Sequence, residues 1–267
     1  MDLQLQGKRA LVTGGSRGIG KAVALALARE GASVALLARS EQALAVAAQD
    51  IAATTGQRVV TVVADTSSDT QVHEAVAKAA QLLGGSIDIL VNAAAEPGGR
   101  AAPPKLQEIT GEHFHGELDI KVMGYVRCAR EVVGGMRSAG WGRIVNISGL
   151  AARHAVSAVG SMRNVAVAAL TKNMADELGP FGINVTVVHP GLTRTESLPA
   201  MISAKAAQAG ISEAEAESRM AASNSIRSIV DASEVADVVA FLCSPRSRSI
   251  NGDAIATGGG IPGSIHY

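Results

Sequence analysis

A glycine-rich segment near the start of the chain has the residue types and spacing of a phosphate-binding turn. Residues 13–20 have the sequence Thr-Gly-Gly-Ser-Arg-Gly-Ile-Gly and follow a β-type run. Gly14 permits a tight turn, Gly18 lets backbone N–H groups approach a pyrophosphate, and Gly20 allows the next helix to pack close to the strand. The pattern favours a dinucleotide site over a glycine turn without a ligand. The contacts predicted from this segment are Gly14, Ser16, Arg17, Gly18, Ile19 and Gly20.

The end of the second β-type run indicates which dinucleotide is bound. NAD sites usually carry an acidic residue there, which binds the ribose 2′-hydroxyl, whereas this chain has Arg39. Together with Arg17, Arg39 offers two guanidinium groups, whose charge and fork geometry suit a 2′-phosphate. The sequence therefore predicts NADP(H) rather than NAD(H). The alternative is that both arginines are solvated surface residues.

The elements that position these residues alternate between β and α along the chain. Strands are predicted at 8–13, 33–38, 58–64, 87–91, 143–147, 184–189 and 254–257, and helices at 18–30, 41–55, 69–83, 111–135, 161–178, 213–222 and 233–243. The strand runs are apolar without two-residue alternation, which indicates burial on both faces of a parallel sheet. We therefore expect one α/β domain over residues 1–267, a doubly wound, Rossmann-type parallel sheet of about seven strands with helices on both faces.

One long segment, residues 191–228, departs from this alternation and is predicted to be a substrate loop or lid. We expect one helix in it, near residues 213–222. Its apolar residues favour a small, partly apolar substrate. These residues are Leu198, Met201, Ile202, Ile211, Met220 and Ile226.

Composition excludes several classes of function. Lys+Arg and Asp+Glu are both 24, so the chain lacks the basic excess of a nucleic-acid-binding protein. It has two cysteines, no apolar run of transmembrane length and no signal-peptide pattern at its start, which together predict a cytoplasmic protein without a membrane partner. His113 and His115 lie two residues apart, on different sides of a predicted helix, so we expect a solvated helix start rather than a metal site.

Further motifs extend the pattern over nearly the whole chain, and together the sequence resembles a classical short-chain dehydrogenase/reductase. The motifs are Thr13–Gly20, Asp65-Thr66, Asn92-Ala93-Ala94-Ala95, Pro190-Gly191-Leu192-Thr193-Arg194-Thr195, and Asn251-Gly252 with Gly258-Gly259-Gly260. The resemblance implies adenine contacts from Asp65 and Thr66, and a ribose wall from Asn92, Ala93 and Ala94. It also implies that Pro190, Gly191, Thr193 and Thr195 hold the nicotinamide amide. A homotetramer or homodimer is implied as well.

The catalytic residues of that family, an Asn, a Ser, a Tyr and a Lys, are not matched. Lys121 stands at the Asn position. Gly149 stands at the Ser position, with Ser148 one residue early. Counting back from residues 170–178 places Gly160 at the family's Tyr position and Asn164 at its Lys position.

Counting forward from Gly149 with the family spacing places Met162 and Ala166 at those two positions instead. The two counts differ by two residues, which indicates a short deletion within residues 150–159. The chain has two tyrosines, Tyr125 and Tyr267, and neither reaches the Tyr position by a shift of the alignment.

Three side chains are candidates to replace the missing groups. We expect Lys121 to supply the ammonium that the family's lysine provides, Asn164 to bind ribose hydroxyls, and Ser148 to orient a substrate oxygen. The alternative for Lys121 is an exposed lysine on a helix. The alternative for Ser148 is a residue that only forms hydrogen bonds at the end of its strand. Ser161 could replace Ser148, and His154 is a weaker candidate for a proton donor.

The sequence thus predicts an NADP(H)-dependent oxidoreductase of short-chain type that acts on a carbonyl or secondary alcohol in an atypical site. A cofactor-binding protein without dehydrogenase activity, such as a sensor or inactive partner, and non-redox chemistry on the same fold remain the alternatives.

Overall fold

The computed structural model describes residues 1–95, 104–263 and 265. Seven parallel strands form one sheet in the order β3-β2-β1-β4-β5-β6-β9. These strands are β1 (Arg9–Thr13), β2 (Ser33–Ala38), β3 (Val59–Val63), β4 (Ile89–Asn92), β5 (Gly142–Ile147), β6 (Ile183–Pro190) and β9 (Ala254–Thr257). The order reverses at β1, between β2 and β4, so loops at the carboxyl ends of these strands leave a crevice there. The predicted parallel sheet is confirmed.

Helices cover both faces of the sheet, as a doubly wound fold requires. They are α1 (Gly18–Arg29), α2 (Glu41–Thr55), α3 (Asp69–Leu83), α4 (Gly111–Leu118), α5 (Gly124–Ala139), α6 (Ala158–Leu178), α7 (Leu198–Ala209), α8 (Glu213–Ala221) and α9 (Ala232–Leu242). One core packs α1, α2 and α9 against the sheet, and a second core packs α3, α5 and α6 against its other face. Both layers are apolar because the central strands are buried on both sides.

The helix predicted over residues 111–135 is interrupted, and that prediction was wrong in its continuity. A π-type turn, Asp119–Met123, separates α4 from α5. Arg127 stabilises this turn because its guanidinium bonds the Asp119 carboxylate at 2.8 Å and the Asp69 carboxylate at 2.8 Å. Such turns shift the register of side chains within a helix and are frequent at functional sites. Lys121 is the buried residue of this turn.

The 191–228 segment contains more regular structure than predicted. Besides α8 it holds α7 (Leu198–Ala209), which the sequence analysis missed, and a short strand β7 (Thr193–Arg194) that pairs with β8 (Val230–Asp231). Leu198, Ile202 and Ala216 are buried in a small core between α7 and α8. α7 was not predicted because it contains Pro199, although proline is well tolerated in the first turn of a helix.

Among the described residues, no helix is long and apolar enough to cross a membrane. Within the same residues, no three His, Cys, Asp or Glu side chains converge in a way that could hold a metal ion. His113 and His115 are both exposed on α4.

Candidate cofactor and active site

A cavity of about 720 Å³ lies at the carboxyl ends of β1, β2, β4 and β5, where the strand order reverses. Many predicted cofactor residues line it, namely Gly14, Ser16, Arg17, Gly18, Ile19, Gly20, Arg39, Asp65, Thr66, Ala93, Ala94 and Thr195. The three predicted catalytic side chains, Lys121, Ser148 and Asn164, line the same cavity. The structure therefore brings the two predicted groups together. The predicted residues that do not line it are Asn92, Pro190, Gly191 and Thr193.

The glycine loop at the end of β1 is packed too tightly for side chains. Gly14 has a φ of 66°, and a Cβ there would lie 2.8 Å from the Ala93 carbonyl oxygen. A Cβ on Gly20 would collide with the Gly14 carbonyl oxygen. Thr13 Oγ1 also accepts hydrogen bonds from the backbone N–H groups of Ala93 and Ala94, at 3.0 and 3.1 Å. The loop is thus held against the end of β4.

A carboxylate already occupies part of this cradle. The Gly18 N–H donates a hydrogen bond of 2.9 Å to Glu196 Oε2, and Glu196 lines the cavity. Gly18 is the first residue of α1, so its N–H is one of the unpaired donors at a helix N-terminus, where anions are favoured. The cradle therefore binds an anion, which is the chemistry that a pyrophosphate requires.

The end of β2 is cationic, as predicted. Arg17 and Arg39 line the cavity on the β2 side of β1 together with Ser40. Partial burial of Asp65 opposes its ionisation, but hydrogen bonds from Ser67 and the charges of Arg39 and Arg127 keep its pKa below the usual value. This end of the cavity thus combines guanidinium groups with an ionised carboxylate.

Lys121 is buried at the β5 side of the cavity, with 4% of its surface exposed. Its Nζ donates hydrogen bonds to the Ser148 carbonyl oxygen at 2.9 Å and to Asn164 Oδ1 at 3.0 Å. Burial, together with the charge of Arg163, lowers the pKa of Lys121 to about 7, although the charge of Glu117 acts in the opposite direction. An ammonium has three N–H donors, so one remains for a ligand in the cavity. The alternative of an exposed helix lysine is wrong.

The structure distinguishes between the two ways of counting to the family's Tyr and Lys positions. Asn164 is buried and its side-chain amide lies beside Gly149, since a Cβ on Gly149 would lie 3.2 Å from Asn164 Nδ2. Met162 is 47% exposed, and neither Met162 nor Ala166 lines the cavity. The spatial arrangement supports Asn164 over Ala166 at the Lys position, whereas neither Gly160 nor Met162 lines the cavity.

The hydroxyl of Ser148 is committed to the backbone. It donates to the Asn164 carbonyl oxygen at 3.0 Å and so fastens the end of β5 to α6. Ser161 Oγ donates to the His154 carbonyl oxygen at 3.5 Å, and neither Ser161 nor His154 lines the cavity. The bonding pattern favours the alternative that Ser148 is a strand-end hydrogen-bonder.

The position of the family's tyrosine is closed by a helix cap. Ser157 Oγ accepts a hydrogen bond of 3.1 Å from the Gly160 N–H, and a Cβ on Gly160 would lie 2.5 Å from that hydroxyl. Tyr125 is buried elsewhere, with its OH donating to the Ile147 carbonyl oxygen at 2.8 Å. Tyr267 lies outside the described residues. No tyrosine within the described residues lines the cavity.

Asn92 is a structural residue below the cavity rather than part of its wall. Its Nδ2 donates to Asn146 Oδ1 at 3.0 Å, and Asn146 Nδ2 donates to Thr171 Oγ1 at 3.0 Å. Thr171 Oγ1 in turn donates to the Val167 carbonyl oxygen at 2.8 Å. This buried chain joins β4, β5 and α6, and it fixes the helix that carries Asn164.

Arg163 and Glu117 form a part of the site that the sequence analysis missed. Arg163 lines the cavity next to Asn164, and its Nη1 donates to the Glu117 carboxylate across the gap between α6 and α4. Its side chain is 13% exposed, and its Nε is buried without a hydrogen-bond partner among the described residues. The sequence does contain a signal for Arg163. It follows Gly160 by three residues, which places both on one face of the helix.

A second cavity of about 690 Å³ lies between α7 and α8. Met201, Ile211 and Met220 from the predicted apolar set line it, together with Val156. Leu198 and Ile202 lie in the core beneath. Ile226 is 58% exposed.

Comparison with known proteins gives consistent matches over the full chain. A family model described as enoyl-(acyl carrier protein) reductase matches residues 14–262. The short-chain reductase protein NovJ of Streptomyces niveus is 34% identical over 254 residues, which cover 95% of this chain and 93% of that protein.

Solved structures match equally well. L-sorbose reductase from Gluconobacter frateurii, complexed with NADPH and L-sorbose, has a TM-score of 0.92 and 29% identity, covering 99% of this chain and 100% of that one. NAD⁺-bound xylitol dehydrogenase has a TM-score of 0.86 and 28% identity, over 96% of this chain and 100% of that one.

Proposed function

Because this chain belongs to the short-chain dehydrogenase/reductase family of NAD(P)-dependent oxidoreductases, we propose that it interconverts a carbonyl and a secondary alcohol with NADP(H). The observation that carries the proposal is the 3.0 Å hydrogen bond between Lys121 Nζ and Asn164 Oδ1. The ammonium and the amide of the family pattern are both present, with their positions exchanged. The catalytic tyrosine has no counterpart, so Lys121 also takes over the proton transfer.

The cofactor is held by the groups on the β2 side of the cavity and by its glycine loop. Arg17 and Arg39 bind the 2′-phosphate, and the Gly18 N–H binds the pyrophosphate in place of Glu196. Asp65 and Thr66 contact the adenine. When bound, NADPH supplies a hydride from its nicotinamide to the substrate carbonyl carbon. The NADPH in the L-sorbose reductase complex supports this preference, whereas the NAD⁺ in xylitol dehydrogenase represents the alternative.

Lys121 provides the proton for the substrate oxygen. Hydride addition to a carbonyl leaves an alkoxide, which must be protonated or stabilised. The Lys121 ammonium is fixed by Ser148 and Asn164, and its remaining N–H is available for the alkoxide oxygen. A pKa of about 7 suits both donation and recovery of the proton near neutral pH. In the oxidative direction the neutral amine accepts the proton of the alcohol.

A second candidate is a protein that binds NADP(H) without dehydrogenase activity. The capped Gly160 favours it, because the cap occupies the place of a tyrosine side chain. Restoring the dyad as Gly160→Tyr with Asn164→Lys, and with Ser157→Gly to relieve the close contact, distinguishes the two. Under the second candidate the wild type turns over nothing and the restored variant gains activity.

The proposal is tested by two measurements on the wild-type protein. NADPH and NADH binding are compared by titration of cofactor fluorescence, and consumption of NADPH is followed by absorbance with a panel of ketones and aldehydes. Tighter NADPH binding and substrate-dependent NADPH loss are expected. Binding without any turnover would contradict the oxidoreductase proposal, and tighter NADH binding would contradict the cofactor preference.

We further propose a homotetramer or homodimer, formed through the surfaces near α5 and α6. Met123, Met162 and Val165 are large apolar side chains that are 42–49% exposed there. Their burial in an oligomer would be favourable. Light scattering of the purified protein tests this, with a monomer as the contradicting result. A Met162→Glu and Val165→Glu variant is expected to dissociate the assembly.

A further inference from the structure

We infer that Arg163 binds a carboxylate of the substrate, so that the site takes oxo acids and their hydroxy-acid products. The inference rests on the proposed function and deepens it. In this arrangement Arg163 holds the carboxylate while Lys121 gives its proton to the oxo oxygen. Both side chains line the same cavity, on the β5 side of the strand-order reversal and away from Arg17 and Arg39.

The hydrogen bonds of Arg163 leave one edge of its guanidinium group unused. Nη1 is bound to Glu117. Within the described part of the chain, neither Nε nor Nη2 has a hydrogen-bond partner. These two N–H groups form the edge that binds a carboxylate through two parallel hydrogen bonds. A buried guanidinium donor without an acceptor is unfavourable, so an acceptor oxygen at this edge would stabilise the site.

The charges around Arg163 also favour a bound anion. Lys121 and Arg163 contribute two cations, Glu117 is the carboxylate paired with Arg163, and Lys121 itself bonds neutral oxygens of Ser148 and Asn164. When Lys121 is protonated, one positive charge therefore has no partner in a largely buried environment, which is costly. The charge of Arg163 also contributes to the lowered pKa of Lys121. A substrate carboxylate would balance the charge and favour the ammonium form that donates the proton.

Two positions of the family's catalytic set are glycines in this chain. Gly149 and Gly160 stand where the family carries a serine and a tyrosine, so two polar side chains that would bind a neutral carbonyl are missing. Arg163 lies one helical turn beyond Gly160 on the same face. The cationic group thus replaces the missing hydroxyls as the polar contact for a substrate, and a carboxylate is its matching partner.

The experiment compares matched acids and neutral analogues on the full-length protein saturated with NADPH. Binding of sodium pentanoate and of pentanamide is measured through the change in NADPH fluorescence. Reduction of straight-chain 2-oxo and 3-oxo acids is compared with reduction of their methyl esters. We expect pentanoate to bind at least tenfold tighter than pentanamide, and the acids to have at least tenfold higher kcat/KM than the esters.

Variants separate a binding role from a structural one. Arg163→Gln is expected to lower the ratio of acid to ester kcat/KM to about one, and Arg163→Lys should restore part of this acid preference. Glu117→Gln, which removes the competing carboxylate, should tighten pentanoate binding. Arg137→Gln on the surface of α5 is the matched control and should behave as the wild type.

The outcomes distinguish this inference from the proposed function. Equal kcat/KM values for acids and esters with an active wild type would overturn the inference and leave the proposed function intact. Pentanoate binding that depends on Arg163, without reduction of any compound, would support the inference and contradict the proposed function. An unchanged acid preference in a folded Arg163→Gln variant would also overturn the inference.

Discussion

The Lys121 ammonium donates a hydrogen bond of 3.0 Å to the side-chain oxygen of Asn164, in a buried pair that joins the π-type turn before α5 to the second turn of α6. In the family pattern the amide comes first in the chain and the ammonium second. Here the order is reversed, while the two groups still meet at the same cavity. We propose that this exchange lets a chain without the Tyr-x-x-x-Lys dyad keep a cation beside the cofactor position.

Exchanging the two residues tests this relationship. Lys121→Asn and Asn164→Lys should each weaken NADPH binding by about ten- to a hundredfold, since each disturbs a charge-assisted hydrogen bond. The double variant places the ammonium on α6 and the amide on the turn, so we expect it to recover most of the loss. Fluorescence titration measures the affinities, and circular dichroism confirms folding. A double variant no better than the weaker single variant would argue against the exchange.

Cofactor choice should depend on Arg39. Arg39→Asp is expected to weaken NADPH binding by about tenfold or more and to improve NADH binding, because a carboxylate there repels the 2′-phosphate and accepts from a free ribose hydroxyl. Arg39→Gln should weaken NADPH binding without improving NADH binding. Arg58→Gln, an exposed arginine at the start of the neighbouring strand, is the control. Unchanged NADPH affinity in both Arg39 variants would contradict the assignment.

The Glu196 carboxylate should compete with the cofactor. Glu196→Gln is expected to raise the affinity for NADPH by about two- to fivefold, because the helix N-terminus then carries no competing negative charge. Glu217→Gln, which removes a carboxylate of the same segment that pairs with Arg194 instead, controls for general loosening. Isothermal titration calorimetry measures both. Weaker binding by the Glu196 variant would place the pyrophosphate elsewhere.

Burial of Lys121 should make stability depend on pH. Its pKa is lowered from 10.5 to about 7 in the folded state, so between these values the unfolded chain binds the proton and the folded chain does not. Stability therefore rises with pH in this range, by up to about 1.4 kcal/mol per unit, and the contribution is constant below it.

Urea unfolding of the wild type and of Lys121→Met across this pH range isolates the effect. The difference in unfolding free energy should move in favour of the wild type as the pH rises above about 7. The control is Lys172→Met, which removes a surface lysine of α6 and should give a flat difference. A flat difference for Lys121→Met would mean that its pKa is not lowered.

Local signals in the sequence were sufficient for the sheet and for the phosphate cradle. Glycines and apolar runs mark the ends of strands and helices within a few residues, which is why β1 and α1 were predicted almost to their bounds. The π-type turn at Asp119–Met123 was missed because one extra residue in a helical turn does not alter composition or periodicity visibly.

The contacts that complete the site are long-range and have no local pattern. Glu196 meets Gly18 from 178 residues away, and Arg163 pairs with Glu117 across 46 residues. The sequence shows the residue types but not the packing of α4 against α6 that brings them together. The burial of Lys121 in the π-type turn is likewise revealed by the structure alone.

Single-turnover oxidation of NADPH by wild type and Lys121→Met, with an oxo acid and with both proteins saturated in cofactor, tests the central claim most directly. Saturation removes any effect on cofactor binding, so the rate reports the role of the ammonium in the reaction. We predict that the wild type consumes NADPH and that Lys121→Met is slower by roughly a hundredfold or more. Turnover by Lys121→Met at the wild-type rate would contradict the assignment of Lys121 as the proton donor.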